Sequence, residues 1–275
     1  MYNNFPLQRK KIRVGDISIS YLLKDEVRPH KTVIFIHGFP FSKNMWHYQL
    51  EALPNGIRGI AVDVRGHGGS TSGHGYFSID VFARDLIAFI EKLGLTKVVL
   101  CGISMGGYIA LRALQIAPSR FYGMVLADTN AEADSNEAKI KRFDTIQSVL
   151  KYGRRTFAIG FVKNVFSASS LLSRPEEVEL IRSSIRRNDV RSICATLLAL
   201  ASRTDTTDSL TSISFPCLII RGSEDKLMTR EQANALKEQI KFADLEEIDQ
   251  CGHLPNLEAP EKFNQALIQY LAKLA

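Results

Sequence analysis

Lys97-Val98-Val99-Leu100-Cys101-Gly102-Ile103-Ser104-Met105-Gly106-Gly107 drives an apolar run straight into the pattern G-x-S-x-G and out into a segment with helical spacing. The run before the serine has the character of a parallel strand buried on both faces. After it, Tyr108-Ile109-Ala110-Leu111-Arg112-Ala113-Leu114 carries helical apolar spacing that ends at Pro118. Ser104 therefore falls on a sharp strand-to-helix turn. Glycines at 102 and 106 allow the flanking backbones to approach where a side chain would clash, so the stretch reads as a nucleophile elbow with its hydroxyl exposed at the strand's end. G-x-S-x-G also arises by chance, so its surroundings decide whether the serine is idle.

Outward from the elbow, strand and helix alternate. Lys10 to Val14 and Ile17 to Leu22 alternate polar and apolar residues around Gly15-Asp16, which predicts an edge hairpin. Val33-Ile34-Phe35-Ile36 is continuously apolar, as in the interior of a parallel sheet. A helix over 43–53, a strand over 59–62, a helix over 79–93, the strand at Val98 and a strand over 122–127 follow. From Thr129 to about Leu210 no strand signal occurs, and apolar residues such as Ile140, Phe143, Ile146 and Leu150 recur at helical intervals. Strands return at 216–220 and near 245–248, with helices over 230–239 and 260–274. The expectation is an α/β fold: a mostly parallel central sheet of about eight strands with helices on both faces and a helical cap inserted after the sixth strand. The core would comprise residues 1–128 and 211–275, and the cap residues 129–210.

The chain of 275 residues is long enough for such a core, and with 45% hydrophobic and 23% charged residues it has an ordinary globular composition. No apolar run reaches the length of a membrane span, and Met1 to Pro6 lead into basic residues without a signal-peptide core. Cytoplasmic residence is expected, with no membrane partner. Cys101, Cys194, Cys217 and Cys251 are scattered, without the spacing of a zinc site or a disulfide scaffold, so reduced thiols are expected. Net charge is +6, and between Lys139 and Arg191 twelve Lys or Arg face five acids. Widening that window to residues 130–210 reduces the local excess to three, which points to a solvated helical surface ahead of attraction for anionic substrates. No aromatic-interleaved basic stripe accompanies the charge, so a nucleic-acid partner is not expected. Nothing in the sequence sets an oligomeric state.

A serine hydroxyl needs a base to take its proton, and the base needs a group that holds its tautomer. Asp225, in Arg221-Gly222-Ser223-Glu224-Asp225, and His253, in Cys251-Gly252-His253-Leu254, each lie just beyond a predicted strand. In a parallel sheet such loops share the edge that carries Ser104, so all three can converge. The chain order Ser, Asp, His is that described for α/β-hydrolases.

With these residues in view, the chain resembles an α/β-hydrolase-fold serine hydrolase over nearly its whole length outside the insertion. The resemblance rests on His37-Gly38-Phe39-Pro40, similar to the oxyanion loop, and Asp63-Val64-Arg65-Gly66-His67-Gly68, similar to the D-x-R-G-x-G turn. It rests also on the elbow, on the acid loop Gly222 to Asp225, and on Gly252-His253 with Glu258-Ala259-Pro260-Glu261. It implies a triad of Ser104, His253 and Asp225, with the backbone N–H groups of Phe39 and Met105 as the oxyanion hole. Asp128 competes for the acid position, and Asp225 is preferred because Gly-Ser-Glu-Asp fits the family's acid loop. His37 is expected to hold the oxyanion loop by hydrogen bonding and Asp63 to fix its turn. Trp46, Phe143 and Leu254 are the candidate substrate contacts. A serine at the elbow sets the chain apart from the dehalogenases and epoxide hydrolases of this fold, which use aspartate there. The expected reaction is hydrolysis of a small carboxylic ester or lactone through an acyl-enzyme, without metal or organic cofactor. Small carboxylesterases and 3-oxoadipate enol-lactone hydrolases are the relatives it most resembles. C–C bond hydrolases and non-haem haloperoxidase or perhydrolase enzymes share the triad, and a ligand-binding receptor of the same fold is the non-enzyme alternative.

Overall fold

The continuous apolar runs become inner strands because each must bury two faces. A computed structural model of the chain describes residues 7–274; the N-terminal stretch read above for a signal peptide, residues 1–6, lies outside them, as does residue 275. The sheet contains β1 (Gln8–Val14), β2 (Ile17–Lys24), β3 (Lys31–Ile36), β4 (Ile57–Val62), β5 (Val98–Ile103), β6 (Phe121–Ala127), β7 (Cys217–Gly222) and β8 (Ala243–Ile248). Their order across the sheet is β1-β2-β4-β3-β5-β6-β7-β8. β1 and β2 form the expected edge hairpin, with Val14 opposite Ile17, and β2 runs antiparallel to β4; all other pairs are parallel.

The helices are α1 (His47–Ala52), α2 (Ile79–Lys92), α3 (Met105–Ile116), α4 (Asn136–Val165), α5 (Ala168–Ser173), α6 (Pro175–Arg187), α7 (Val190–Ala201), α8 (Arg230–Gln239), α9 (Pro255–Glu258) and α10 (Pro260–Lys273). In β3, Ile34 and Ile36 join a core with Phe82 and Phe89 of α2, Ile109 of α3 and Leu236 of α8. The alternate residues Val33 and Phe35 join a second core with Leu50 of α1 and Phe263 of α10. The period of two along a strand thus feeds two helical layers, and each such fully buried side chain contributes roughly 1.5–3 kcal/mol. α2 shows how a helix meets its layer. Ser78 caps it by accepting from the Val81 N–H, and Ile79, Phe82, Ala83, Leu86, Phe89 and Ile90 make its buried stripe.

The cap helices α4 to α7 leave the sheet after β6 and return before β7. α4 is bent where Gly153 takes φ 78° and ψ 166°, a conformation outside the helical range that glycine adopts without a Cβ clash. The segment after β3 begins as a 3-10 turn, Lys43–Trp46, before α1. Among the described residues no helix is long and apolar enough to cross a membrane.

Candidate active site

β5 ends at Ile103, and Ser104 takes φ 54° and ψ −119°, a left-handed conformation that costs a non-glycine residue on the order of 1–3 kcal/mol. Its surroundings hold it there. The Ser104 N–H donates to Ala127 O at 2.9 Å, and its carbonyl accepts from the Gly107 N–H at 2.9 Å and from Thr129 Oγ1 at 2.8 Å. A Cβ at Gly106 would overlap the carbonyl of Ile36, and one at Gly102 the carbonyl of Gly106. The elbow is therefore clamped between β3 and α3, and Ser104, unlike its neighbours, is not fully buried.

β7 and β8 deliver the other two residues. Gly222 and Ile248 end these strands as parallel partners, so the loops after them leave the sheet side by side. His253 Nδ1 lies 2.7 Å from Asp225 Oδ2, and both side chains are buried. Asp225 Oδ1 accepts the Leu227 N–H at 2.8 Å. Burial alone would raise the Asp225 carboxyl, but the charge and hydrogen bond of His253, with a further bond from the Leu227 N–H, hold it below the usual carboxylate range. An imidazole that donates from Nδ1 carries its lone pair on Nε2 when neutral. The structure thus brings His253 and Asp225 into direct contact and sets Ser104 on the same sheet edge.

His253 is tied to the cap through its N–H, which donates to Val165 O at 2.9 Å. Glu258, buried in α9, accepts from the Leu254 N–H at 3.2 Å and from the Ser167 N–H at 2.8 Å, pinning the histidine loop to the segment between α4 and α5. Only a family resemblance drew attention to Glu258, because its partners are fixed by packing rather than by spacing.

Met105 opens α3, where the first N–H groups have no acceptor within the helix. Phe39 follows β3 in a loop whose Phe39–Pro40 peptide is cis. His37 braces that loop: Nδ1 pairs with Gly38 O at 2.8 Å while Nε2 accepts the Val64 N–H at 3.0 Å. This pattern requires a neutral ring, and burial lowers the His37 pKa, more strongly than Asp63 raises it. Asp63 in turn accepts from the N–H groups of Lys43 and Gly69, each at 2.7 Å, and from Lys43 Nζ. Asn188, after α6, donates from Nδ2 to Pro40 O at 2.7 Å and accepts the Gly68 N–H at 3.0 Å. Arg154 of α4 holds the Asn188 carbonyl at 2.7 Å. No local pattern marks Asn188 in the sequence.

Of the three candidate substrate contacts, two are fully buried and one is half-exposed. Trp46 is wholly buried, its ring 5.2 Å from Phe35 and 6.0 Å from Phe263, so it is a core residue beneath the sheet. Leu254 is also fully buried in that core. Phe143 is half-exposed on α4, and the cap aromatics that reach the loop after β3 are Phe157 and Phe161, with rings 6.4 Å and 6.0 Å from Phe39. In an unbroken helix residues 143 and 157 would share nearly one face, and the bend at Gly153 separates them.

A groove of about 700 Å³ between the β1–β2 hairpin and α6 includes Lys10, Lys11, Glu179 and Arg187, and none of Ser104, Asp225 or His253 lines it. Asp128, Asp225 and His253 could each present one ligand atom within 4.8 Å of the others, but both Asp225 oxygens and one of Asp128 already accept hydrogen bonds.

A sharp serine turn at the end of a central strand, with an Asp–His pair on the adjoining loops, defines the class. A family model for the alpha/beta hydrolase fold matches residues 31–260, and the chain belongs to that family. Over 253 residues it is 28% identical to 3-oxoadipate enol-lactonase 2 of Acinetobacter baylyi, covering 92% of each chain. It is 27% identical over 266 residues to a non-heme chloroperoxidase of Kitasatospora aureofaciens, covering 88% of this chain and 93% of the relative. Among solved structures, a thermophilic esterase from Thermogutta terrifontis superposes with a TM-score of 0.89 at 33% identity, over 97% of this chain and 98% of that one.

Proposed function

We propose that this chain hydrolyses small carboxylic esters or lactones through an acyl-enzyme formed on Ser104. His253 Nε2 takes the Ser104 proton as Oγ adds to the carbonyl carbon, then gives it to the departing alkoxide; water repeats the sequence in reverse and releases the acid. Asp225 holds the imidazole in the tautomer that this requires. The N–H groups of Met105 and Phe39 receive the oxyanion, each worth about 3 kcal/mol in comparable sites. The observation that carries the reading is the buried His253–Asp225 pair at 2.7 Å on the sheet edge where the Ser104 turn opens. The serine–histidine bond is often long in unliganded enzymes and tightens with substrate, so the closed histidine–aspartate bond is the informative one.

The likeness to an esterase and to an enol-lactonase supports an ester or lactone as substrate. Likeness to a chloroperoxidase supports a second outcome on the same site, with hydrogen peroxide in place of water attacking the acyl-enzyme. Some cap cations are engaged, Arg142 and Arg203 with Asp134, Arg182 and Arg186 with Glu179, and Arg154 with the Asn188 carbonyl, whereas Lys139, Lys141, Lys151, Arg155, Lys163, Arg187 and Arg191 make no ion pair among the described residues. Four free thiols support residence in a reducing cytoplasm, and the reading needs no metal, organic cofactor, nucleic acid or membrane. The test is turnover of p-nitrophenyl acetate, with Ser104→Ala reducing kcat by at least about 10³-fold. Undiminished turnover in that variant would overturn the assignment and reopen a role for the fold as a receptor.

A further inference from the structure

Asp128 is the buried acid that the proposed reaction leaves unused. It follows β6, takes φ 41°, and donates its own N–H to Ile220 O at 2.9 Å. Oδ1 accepts the Gly222 N–H at 2.9 Å, at the mouth of the acid loop. Oδ2 is buried with no conventional partner, although its side chain stands within 4.8 Å of those of Asp225 and His253. Two ionised carboxylates in such a site would face each other with little water between them. Arg221, the cation on this side, places its guanidinium on Glu247 at 2.8 Å and on the carbonyls of Ser223 and Met228.

We propose that Asp128 is a neutral carboxylic acid whose Oδ2–H donates to the Asp225 carboxylate, making it a positioning residue for the acid of the triad. This satisfies the orphaned oxygen and removes the like-charge contact in one step. It also gives Asp225 a third hydrogen bond beside those from His253 and Leu227, which fixes its rotamer and thereby the plane of the imidazole. Burial first, and then the Asp225 charge, pushes the Asp128 carboxyl well above the usual carboxylate range, in agreement with that state. The Asp225 carboxyl is shifted the opposite way, as in other carboxyl pairs that share one proton.

The inference rests on the reading of Ser104, Asp225 and His253 as a triad, and its test separates the two. Infrared spectra at neutral pH in H2O and D2O should show a neutral-carboxyl C=O stretch in the wild type and in Ser104→Ala, and none in Asp128→Asn. This readout does not depend on turnover. In kinetics on p-nitrophenyl acetate, Asp128→Asn can still donate to Asp225 and accept from Gly222, so it should keep kcat within several-fold of wild type. Asp128→Ala should lower kcat about 10- to 100-fold with little change in KM. A wild-type spectrum without that band, a band that survives Asp128→Asn, or an Asp128→Asn enzyme as slow as Asp225→Asn would overturn the inference. If Asp128→Ala does not fold, the spectra and Asp128→Asn still decide. If Ser104→Ala stays active, the triad reading fails while the spectra still report the state of Asp128.

Discussion

At the scale of single residues, the elbow's cost is conformational and steric. Ser104 is held in a left-handed conformation by bonds from Gly107 and Thr129 to its carbonyl and from its own N–H to Ala127. The Ile36 carbonyl occupies the space a Cβ would take at Gly106. Because the obstacle is backbone of an inner strand, it yields only if β3 or α3 shifts. Gly106→Ala is therefore expected to lose about 1–3 kcal/mol of stability in urea unfolding and to lose activity with it. A variant as stable and as active as wild type would refute the close approach. The pattern G-x-S-x-G marked both glycines correctly in the sequence, because each requirement is local to the turn.

At the scale of elements, cap and core are joined at the loop after β3 rather than merely stacked. Asn188 bridges Pro40, directly after Phe39, to Gly68, and Arg154 holds it from α4. Asn188→Ala strands the buried Pro40 carbonyl, at about 1–3 kcal/mol for a buried group left unpaired, and frees the N–H of the exposed Gly68 to water. It should also loosen the loop that presents the Phe39 N–H, lowering kcat/KM by about 10- to 100-fold. A fall in Tm with kcat/KM unchanged would limit Asn188 to a structural tie. The sequence shows that 129–210 is helical but not that α4 bends at Gly153, nor that this turns Phe157 and Phe161 toward Phe39 and leaves Phe143 half-exposed. The segment expected as one helix over 43–53 divides into a 3-10 turn and α1, because the first turn stays close to Asp63, which binds the Lys43 N–H and ammonium.

At the scale of the whole molecule, burial of ionisable groups sets the pH response of stability. His37 and His67 are fully buried, and desolvation lowers both, His67 to about 3. Each stays neutral in the native state to lower pH than in the unfolded chain, where imidazole protonates below about pH 6.5. The unfolded state therefore binds more protons in that window, so these residues stabilise the fold above about pH 6.5 and lose that contribution on acidification. Asp128, whose carboxyl burial raises, acts with the opposite sign. Two lowered imidazoles against one raised carboxyl leave the imidazoles to set the direction in that window. Unfolding free energy from urea titration should be lower at pH 5 than at pH 6.5. An unchanged value would show that the two rings are not held neutral.

The order of strands and helices, the insertion after β6 and the serine turn are determined by the sequence alone, because apolar period, glycine spacing and breaker residues act over a few positions. Asp225 and His253 are legible for a related reason: each follows a recognisable strand, and parallel strands deliver their loops to one edge. What only the tertiary structure decides is which distant groups meet. Asp128 against Asp225, Asn188 against Pro40, and Glu258 against Ser167 are contacts across 91 or more positions, or between loops whose approach depends on the register of β6, β7 and β8. Trp46 and Leu254 are buried in the core for the same reason. Local preference sets what a segment is, and packing of two layers on one twisted sheet sets what it touches.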